Sequence, residues 1–350
     1  MKIAVAVSGG MDSLYALHSL HTAGHECIAL HGRFLSAAAG PDPIAGLTEF
    51  CARLGVPFHC VDRVAEFERH VIIPFCREYA AGQTPNPCAV CNAAIKFGSL
   101  FEAALALGAE RLATGHYARL LPHPDHQGEW LPVAGMDTAK DQSYFLVLTP
   151  IERLRSAMFP LGGKRKSAIA RELRAMGIIA PLQTESQEIC FVPGNNYRAF
   201  LTERVAELPG PGPVLDEDGN RLGAHQGLWR HTEGQRRGLG IAAARPLHVL
   251  RKDAALNALI VGPAERAVST GCRAEQANYL LPPAQWPKNV FVRVRYRQKP
   301  HPARVECGLT GFTARFATPQ PVTARGQVAA VYDAYGFLLA GGIIAEVDAA

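Results

Sequence analysis

The stretch IAVAVSGGMDS, residues 3–13, decides the fold class. Its first five residues form a continuous apolar run, which is typical of a buried parallel strand. The segment SLYALHSLHTAG, residues 13–24, places leucines at helical spacing and ends on a glycine, as helices often do. More strand-like runs alternate with helical patterns up to residue 117. This alternation predicts an α/β domain with a doubly wound parallel sheet.

The turn between that strand and that helix, SGGMDS at residues 8–13, has the composition of an anion-binding loop. Two glycines permit a tight turn whose N–H groups face an anion at the helix N-terminus. The serines add hydroxyl donors, and Asp12 could hold a cation or orient the loop. No lysine follows these glycines, and the later GGKRKS at residues 162–167 lacks an upstream glycine, so neither is a Walker A loop. A plain turn is the alternative, but it leaves the serines and the aspartate without a role.

The second half of the chain predicts two further domains. The stretch LPGPGPVLDEDGNRLG, residues 208–223, is rich in proline and glycine and indicates a boundary followed by a hairpin. From about residue 279 onward, several runs alternate apolar and polar residues, which favours a small β-barrel or sandwich. We expect an ATP-binding catalytic domain over residues 1–202, a small central domain over residues 203–268 and a C-terminal β-barrel over residues 269–350.

Composition narrows the class of protein. The 350 residues carry a net charge of +5, which permits a polyanionic partner without requiring one. The first apolar run is too short for a signal peptide and no stretch predicts a membrane span, so we expect a cytoplasmic protein with no membrane partner. Nine cysteines spread over this length are not typical of an extracellular disulfide framework. In a reducing compartment, paired cysteines are more often metal ligands or catalytic groups.

Two cysteines stand three residues apart in TPNPCAVCNAAIKFG, residues 84–98, and the chain has no second C-x-x-C. A third, Cys190, lies in SQEICFVPG, residues 186–194, where a buried structural thiol is the plain alternative. Because the thiolate is the reactive form, we expect reactive thiols to lie near positive charge or a helix N-terminus. Cys91 is predicted to begin a helix, with Asn92 as its cap and Lys96 one turn further on.

Together these motifs resemble the tRNA-specific 2-thiouridylase family, within the PP-loop superfamily of N-type ATP pyrophosphatases. The loop alone resembles many adenylating enzymes, GMP synthetase and NAD synthetase among them, and the cysteines narrow the choice. The resemblance runs from residue 3 to about residue 344. Besides the loop and the C-x-x-C segment, it rests on ATGHYAR, KDQSYFL, ICFVPG, HTEGQRRGLGI and RVRYRQ, which occur in the family's order.

The resemblance implies ATP-dependent 2-thiolation of the wobble uridine, U34, in tRNA. ATP with Mg²⁺ would adenylate the C2 oxygen. The partners of the protein would be the anticodon region of tRNA and a sulfur-donor protein that carries persulfide or sulfide. Cys190 would carry a persulfide, and Cys91 would be its partner and form a disulfide with it. Alternatively, Cys88, Cys91 and Cys190 would ligate three irons of a [4Fe–4S] cluster. A zinc site lacks an obvious fourth protein ligand.

The resemblance also implies binding residues. Those for the nucleotide would be Ala6, Val7, Ser8, Gly9, Gly10, Met11, Asp12, Ser13, Gly32 and Gly115. Those for tRNA would be Asn86, Pro87, Cys88, His116, Lys140, Asp141, Gln142, Arg295, Tyr296 and Gln327, the first three around a flipped-out base. The plain alternatives are a satisfied loop histidine for His116, and a solvated strand face for Arg293, Arg295 and Arg297, which alternation places on one side.

One segment departs from the family. Residues 30–43, LHGRFLSAAAGPDP, lack the methionine and tryptophan that many members carry there, and Gly32 stands at the position of that methionine. Two other function classes stay open. A ligase or amidotransferase acting on a small metabolite would not need the basic barrel or Cys190. A protein that binds tRNA without chemistry would not need the intact SGGMDS loop.

Overall fold

The computed structural model describes residues 1–36, 42–182 and 189–349 of the chain. The α-helices are α1 (Met11–Thr22), α2 (Ile44–Leu54), α3 (Val64–Phe67), α4 (Ile73–Ala80), α5 (Pro87–Cys91), α6 (Leu100–Ala106), α7 (Ile151–Arg155), α8 (Lys166–Ala175) and α9 (Tyr197–Arg204). Two π-helical segments, Glu68–Ile72 and Asn92–Ser99, join α3 to α4 and α5 to α6.

The strands of the first half are β1 (Lys2–Ala6), β2 (Glu26–Arg33), β3 (Phe58–Asp62), β4 (Arg111–Ala113), β5 (Ala118–Pro122), β6 (Trp130–Ala134) and β7 (Ala157–Met158). Those of the second half are β8 (Gly212–Leu215), β9 (Arg221–His225), β10 (His248–Asp253), β11 (Ala258–Gly262), β12 (Val268–Tyr279), β13 (Val290–Arg293), β14 (His301–Cys307), β15 (Gly311–Pro321), β16 (Val328–Tyr332) and β17 (Leu338–Ala349).

The N-terminal half is built on a parallel sheet with strand order β3-β2-β1-β4-β7. Ile3 of β1 pairs with Cys27 of β2 on one side and with Arg111 of β4 on the other. The strand order therefore reverses at β1 and β4, and ligands of doubly wound sheets bind beyond the strand ends at such a point. This confirms the α/β fold class, and it brings the loops after β1 and β4 together.

The two faces of β1 enter different cores, which explains why its sequence is apolar at successive positions. Ile3 and Val5 pack with Leu14 and Leu17 of α1. Ala4, on the opposite face, belongs to a larger cluster that includes Phe97 and Leu100 and continues into the C-terminal domain. Burying both faces is what distinguishes such a strand from the alternating strands of an antiparallel sheet.

The second half forms two β structures. The central sheet has strand order β10-β11-β8-β9, and β8 and β9 form the predicted hairpin after the proline-rich boundary. The C-terminal strands close into an antiparallel barrel, β12-β15-β14-β13-β16-β17, which confirms the barrel prediction. A Cβ at Gly341 of β17 would overlap the Val147 side chain. The barrel therefore packs directly on the N-terminal half and shares its core.

Within the described part of the chain, Pro87–Ala106 is the one helical stretch long and apolar enough to cross a membrane by length and composition. Core helices pass the same test. Ile95 and Phe97 of this stretch are fully buried in the protein, and Phe101 is 4% exposed. The stretch is therefore a core element of the fold, and it is no sign of a membrane span.

Candidate functional site

The SGGMDS loop is held in shape by its own serines. Ser13 Oγ accepts a hydrogen bond from the N–H of Ser8 at 3.1 Å and donates one to the carbonyl of Gly10 at 2.9 Å. Gly9 has φ +87°, a left-handed conformation that favours glycine, and a Cβ there would lie 2.5 Å from Pro43 Cβ. No described side chain caps α1, which begins at Met11. The loop thus presents an uncapped helix N-terminus, where an anion is stabilised.

Asp12 is fixed by two side chains that sequence analysis missed. The Tyr117 hydroxyl donates a hydrogen bond to Asp12 Oδ1 at 2.7 Å, and Lys166 Nζ pairs with Oδ2 at 3.2 Å. Lys166 lies in GGKRKS, the stretch set aside above as no Walker A loop. Its basic residues after a glycine pair were the available signal. The arrangement places an ammonium group beside the loop without the Walker spacing.

Gly115 follows β4 and lies against the same loop. A Cβ at this position would lie 3.2 Å from Asp12 C and Ser13 N, tighter than ordinary packing. The two backbones therefore meet, and the predicted role of Gly115 near the nucleotide stays a prediction. Of the other residues predicted for the nucleotide, Ala6 ends β1, Val7 is buried and Met11 begins α1.

Gly32 lies on β2, two strand positions from the carbonyl of Leu30 that accepts the Val7 N–H at 3.0 Å. A Cβ at Gly32 would meet the Phe34 ring at 2.5 Å, so Phe34 fills the space beside it. Its predicted contact with the nucleotide stays a prediction. Residues 37–41 of the divergent segment after it lie outside the described residues.

The helix that carries Cys88 and Cys91 differs from the prediction. Asn86 caps α5, because its Oδ1 accepts a hydrogen bond from the N–H of Ala89 at 3.2 Å. Cys91 is the last residue of α5 rather than the first, and Asn92 donates its amide to the carbonyl of Phe145 at 3.0 Å. The prediction of Asn92 as the cap was therefore wrong. Pro87, at the first position of α5, had marked the true start.

The three thiols share one cation, as expected. Lys96, in the π-helical segment Asn92–Ser99, lowers the pKa of Cys88, Cys91 and Cys190, whereas burial raises each of them. Burial is the stronger effect and raises the pKa of Cys91 to about 12. Cys91 is 9% exposed, while Cys88 and Cys190 reach solvent. At neutral pH the unmodified thiols are therefore protonated, with a cation in place to favour an anion.

His116 contacts the Lys96 ammonium group. It is 6% exposed, and its Nε2 lies 3.4 Å from Lys96 Nζ while its Nδ1 lies 2.7 Å from Thr114 Oγ1. Burial and the nearby ammonium hold the pKa of His116 well below its usual range. A neutral ring facing an ammonium, which only donates, must present its unprotonated nitrogen there. His116 is therefore an internal contact of Lys96, and its predicted contact with RNA stays a prediction.

All three residues of the KDQ turn, residues 140–142, have partners within the protein. Asp141 is 6% exposed and pairs with Arg293 at 3.2 Å, and Gln142 Oε1 accepts the Tyr117 N–H at 3.0 Å. Lys140 is half-buried and also has a partner. Arg293, with its guanidinium 4.9 Å from the Tyr144 ring centre, is no part of a solvated strand face.

The barrel residues predicted for tRNA lie beside the TPNPC segment. Arg295 and Tyr296 occupy the turn that follows β13, and Tyr296 lies 4.4 Å from Phe145, ring centre to ring centre. Arg295 donates to the carbonyls of Glu233 and Val322. Gln327 Nε2 donates to the carbonyl of Thr84 at 2.8 Å. The structure thus brings these barrel residues to the loop that leads into α5.

The thiols belong to no metal-ligand set among the residues that the structure describes. In residues 1–36, 42–182 and 189–349, no group of three or more His, Cys, Asp and Glu side chains is placed to hold a metal ion. The nine cysteines are all free thiols. Residues 183–188, which precede Cys190, lie outside this range. The residues as placed do not form the ligand set of an iron–sulfur cluster.

The N-terminal half carries a glycine-rich anion loop at the switch point of a parallel sheet. Together with the cysteine-bearing helix α5 and the β-barrel, this loop defines a PP-loop enzyme. Three family models cover the chain: "tRNA methyl transferase HUP domain" matches residues 1–194, "tRNA methyl transferase PRC-barrel domain" residues 198–263, and "Aminomethyltransferase beta-barrel domain" residues 269–344. Relatives over the whole length decide the particular family.

The tRNA-specific 2-thiouridylase MnmA of Nitratidesulfovibrio vulgaris (strain DSM 19637 / Miyazaki F) is 55% identical over 349 residues, 98% of this chain and 99% of its own. The protein of the same name from Oleidesulfovibrio alaskensis (strain ATCC BAA-1058 / DSM 17464 / G20) is 52% identical over 355 residues, 99% and 100% of the two chains. The chain belongs to the tRNA-specific 2-thiouridylase family. The solved structure of "U34-tRNA thiolase NcsA from Methanococcus maripaludis with its [4Fe-4S] cluster" aligns with 58% of this chain and 63% of its own at 16% identity, with a TM-score of 0.36.

Proposed function

We propose that this protein replaces the C2 oxygen of the wobble uridine, U34, in tRNA by sulfur, and that it consumes ATP to AMP and pyrophosphate. One observation carries the proposal besides family membership. The segment TGHY, residues 114–117, contacts both candidate sites. Gly115 and Tyr117 contact the anion loop, and His116 contacts Lys96, the cation of the thiol site. Nucleotide and sulfur chemistry therefore converge on one point of the protein.

Activation of the uridine uses the anion loop. Uracil O2 is a poor leaving group, and its attack on the α-phosphorus of ATP gives an adenylated base and pyrophosphate. The loop of Ser8 to Ser13 supports this step by placing the exposed Ser8 hydroxyl and the α1 N-terminus around the leaving pyrophosphate, while Ser13 holds the loop in shape. Lys166, beside Asp12, adds a positive charge at the same place.

Mg²⁺ fits this loop only in part. Mg²⁺ usually takes one or two carboxylates together with substrate phosphates, and Asp12 is the carboxylate of the loop. Its oxygens already contact Tyr117 and Lys166. A phosphate-bound Mg²⁺ would therefore be held here mainly by the nucleotide, with Asp12 as the protein group nearest to it.

Sulfur transfer uses the thiols around Lys96. The Cys190 thiolate attacks the outer sulfur of the donor protein's persulfide, which breaks the donor's S–S bond, releases the donor's cysteine and leaves a persulfide on Cys190. The outer sulfur of this persulfide then attacks C2 of the adenylated base, so that AMP leaves. Cys91 then attacks the inner sulfur, which forms a Cys91–Cys190 disulfide and leaves the outer sulfur on C2. A reductant restores both thiols. Lys96 favours the anionic sulfur at each stage, because it is the cation common to both cysteines.

We assign the remaining residues in the same terms. Asn86, Pro87 and Cys88 surround the flipped base, Arg295, Tyr296 and Gln327 form the adjoining tRNA surface, and Lys140 to Gln142 contribute at its edge. Domain boundaries near residues 202 and 268 separate the catalytic, central and barrel domains. The proposed location is the cytoplasm, where tRNA is modified. We assign no reaction step to an iron–sulfur cluster, because the described residues do not form a set of metal ligands.

The test is mass spectrometry of nucleosides from tRNA incubated with the protein, ATP and a persulfide source. We expect 2-thiouridine at position 34 and one AMP for each thiolated tRNA. ADP and phosphate, or unmodified uridine, would contradict the proposal. The two rival functions are separated by the same experiment, since a small-metabolite ligase leaves tRNA unchanged and a tRNA-binding protein consumes no ATP. Iron content of protein purified without oxygen tests the cluster.

A further inference from the structure

A long loop of the central domain joins the 3₁₀ helix Leu228–Arg230 to β10. Its part over residues 234–247, which we call the arginine loop, contains neither strand nor helix. From residue 234 to residue 252 the sequence has five arginine and lysine residues and no aspartate or glutamate. The loop therefore carries positive charge with no acidic residue next to it in the chain.

The arginine loop has a defined shape. Three of its apolar side chains pack against the buried core of the central sheet: Leu239, Ile241 and Leu247. Gln235 holds the first turn, because its Oε1 accepts the N–H of Thr232 at 3.1 Å and its Nε2 donates to the carbonyl of Arg237 at 2.8 Å. A groove of about 590 Å³ runs along the loop, lined by Arg236 and residues 238–247. The loop is thus a surface formed before any ligand binds.

The arginine side chains of this loop are exposed and have no partner in the protein. Arg236, Arg237 and Arg245 form no side-chain hydrogen bond, ion pair or ring contact with the described part of the chain. By contrast, Arg266 in the same domain pairs with Glu217. Each free guanidinium keeps its N–H donors for a ligand, and these donors match phosphate oxygens in geometry and in charge.

The arginine loop begins beside the segment that leads to the thiols. Gln235, near its start, and Thr84 line one pocket of about 460 Å³ between the three parts of the molecule. Thr84 lies four residues before Cys88, a stretch of chain that cannot extend beyond about 14 Å. Arg295 and Gln327, which we assign to the tRNA surface, line the same pocket. RNA bound at the thiols would therefore extend next to the loop.

We propose that the arginine loop binds the phosphate backbone of the tRNA whose uridine lies at the thiols. The proposal rests on the proposed function for its RNA substrate. Arginines on an exposed loop contact phosphates by charge, so they add affinity and fix orientation without reading the base sequence. An acidic face of the sulfur-donor protein would offer the same charge. The loop borders the residues that the proposed function assigns to tRNA, which favours RNA.

The test is the salt dependence of tRNA binding, because a protein that neutralises phosphates releases counterions from the RNA. Dissociation constants for a tRNA transcript with the target uridine are measured without ATP between about 50 and 200 mM NaCl. In the triple variant Arg236→Gln, Arg237→Gln, Arg245→Gln, the slope of log affinity against log salt should become shallower by about 2–3, close to one for each arginine. The unfolding temperature should not change, since these side chains have no partner in the described chain.

Two control variants isolate the contribution of the loop. Arg236→Lys, Arg237→Lys, Arg245→Lys keeps the three charges and should keep the slope of the wild type to within about half a unit. Arg53→Gln, Arg171→Gln, Arg174→Gln removes the same charge from exposed positions of α2 and α8. Those helices pack on the face of the parallel sheet that is opposite to the core shared with the barrel, so this variant should also keep the slope.

Two results would overturn the proposal. One is a slope that changes by less than about one in the glutamine variant of the loop, and the other is an equal change in the variant of α2 and α8. An unchanged slope with slower thiolation would assign the loop to the sulfur donor instead. Thiolation of the same tRNA by the wild type, with ATP and a persulfide source, tests the proposed function separately. A tRNA that is thiolated, and bound with an unchanged slope by the loop variant, would therefore refute the loop contact alone.

Discussion

The anion loop and the thiol site lie in one domain but are prepared for chemistry in opposite ways. The loop is complete at rest: its serines close it, Gly9 gives it its turn and Asp12 is held between a hydroxyl and an ammonium. The thiol site is incomplete, because burial raises the pKa of its cysteines and keeps them protonated, although Lys96 lowers the pKa of all three. The loop can bind before anything else arrives, whereas the thiols need a sulfur carrier and a base.

This difference suggests an order of events. A reactive thiolate exposed at all times would be open to oxidation and to wrong partners. Thiols with raised pKa values react slowly at rest, and Lys96 stabilises the anionic sulfur that forms when a persulfide is transferred. Adenylation and sulfur transfer are therefore separable, and variants should affect one without the other.

The largest expected effect is loss of thiolation with pyrophosphate release retained, which would separate the thiol site from the anion loop. Cys91→Ser and Cys190→Ser should each lower 2-thiouridine formation by more than about a thousandfold, because one thiol carries the sulfur and the other releases it. Pyrophosphate release should persist in both, since the loop is built from another segment. Nucleoside mass spectrometry and a pyrophosphate assay measure the two outcomes. Loss of pyrophosphate release in either variant would show that the regions are not independent.

Asp12→Ala tests the loop in the reverse direction. It removes the partner of Tyr117 and Lys166, so pyrophosphate release should fall by about a hundredfold to a thousandfold, as for loss of one preorganised group. Binding of tRNA, followed by filter retention, should change little. Asp12→Asn keeps an acceptor for the tyrosine and should fall between the variant and the wild type. Weakened tRNA binding in Asp12→Ala would break the division of roles.

Adjacent glycines of the loop provide a matched pair. Gly9→Ala forces a side chain into a left-handed conformation and against Pro43, so we expect the KM for ATP to rise about tenfold and the free energy of unfolding to fall by about 1–3 kcal/mol. Gly10 has φ −82°, and among the described residues a Cβ there meets only Ser8 Oγ at 3.6 Å. Gly10→Ala should therefore be close to the wild type in both. Equal effects of the two changes would contradict the loop geometry.

Lys96→Met addresses the thiol site with a smaller effect. Loss of the ammonium raises the thiol pKa values further, so the thiolate fraction at a given pH falls and iodoacetamide alkylation slows several-fold between about pH 8 and pH 9. The rate should still increase with pH in every variant, because the thiolate forms as the proton is lost. Lys96→Arg keeps the charge and should alkylate nearly as the wild type does. Unchanged rates in Lys96→Met would mean that this cation does not act on the thiols.

The fold could be predicted from sequence patterns because the local preferences of those segments agree with the tertiary structure. The apolar run of β1, the glycine turn after it and the alternation of the barrel strands each specify their element. In the candidate site, only the residues that belong to sequence motifs could be predicted. Lys166 and Tyr117 meet Asp12 from more than 100 residues away, and no local pattern shows that contact. The start of α5 was misplaced because Asn86 and Asn92 are equally good caps by type, and only the proline between them distinguishes the two.

The central claim is that the uridine oxygen becomes the leaving group through adenylation, and an isotope follows that oxygen directly. A tRNA stem–loop with ¹⁸O at C2 of the target uridine is thiolated with ATP and a persulfide source, and the AMP is collected for mass spectrometry. The account predicts one ¹⁸O in AMP for each 2-thiouridine formed. Unlabelled AMP, or the label in inorganic phosphate or water, would contradict it.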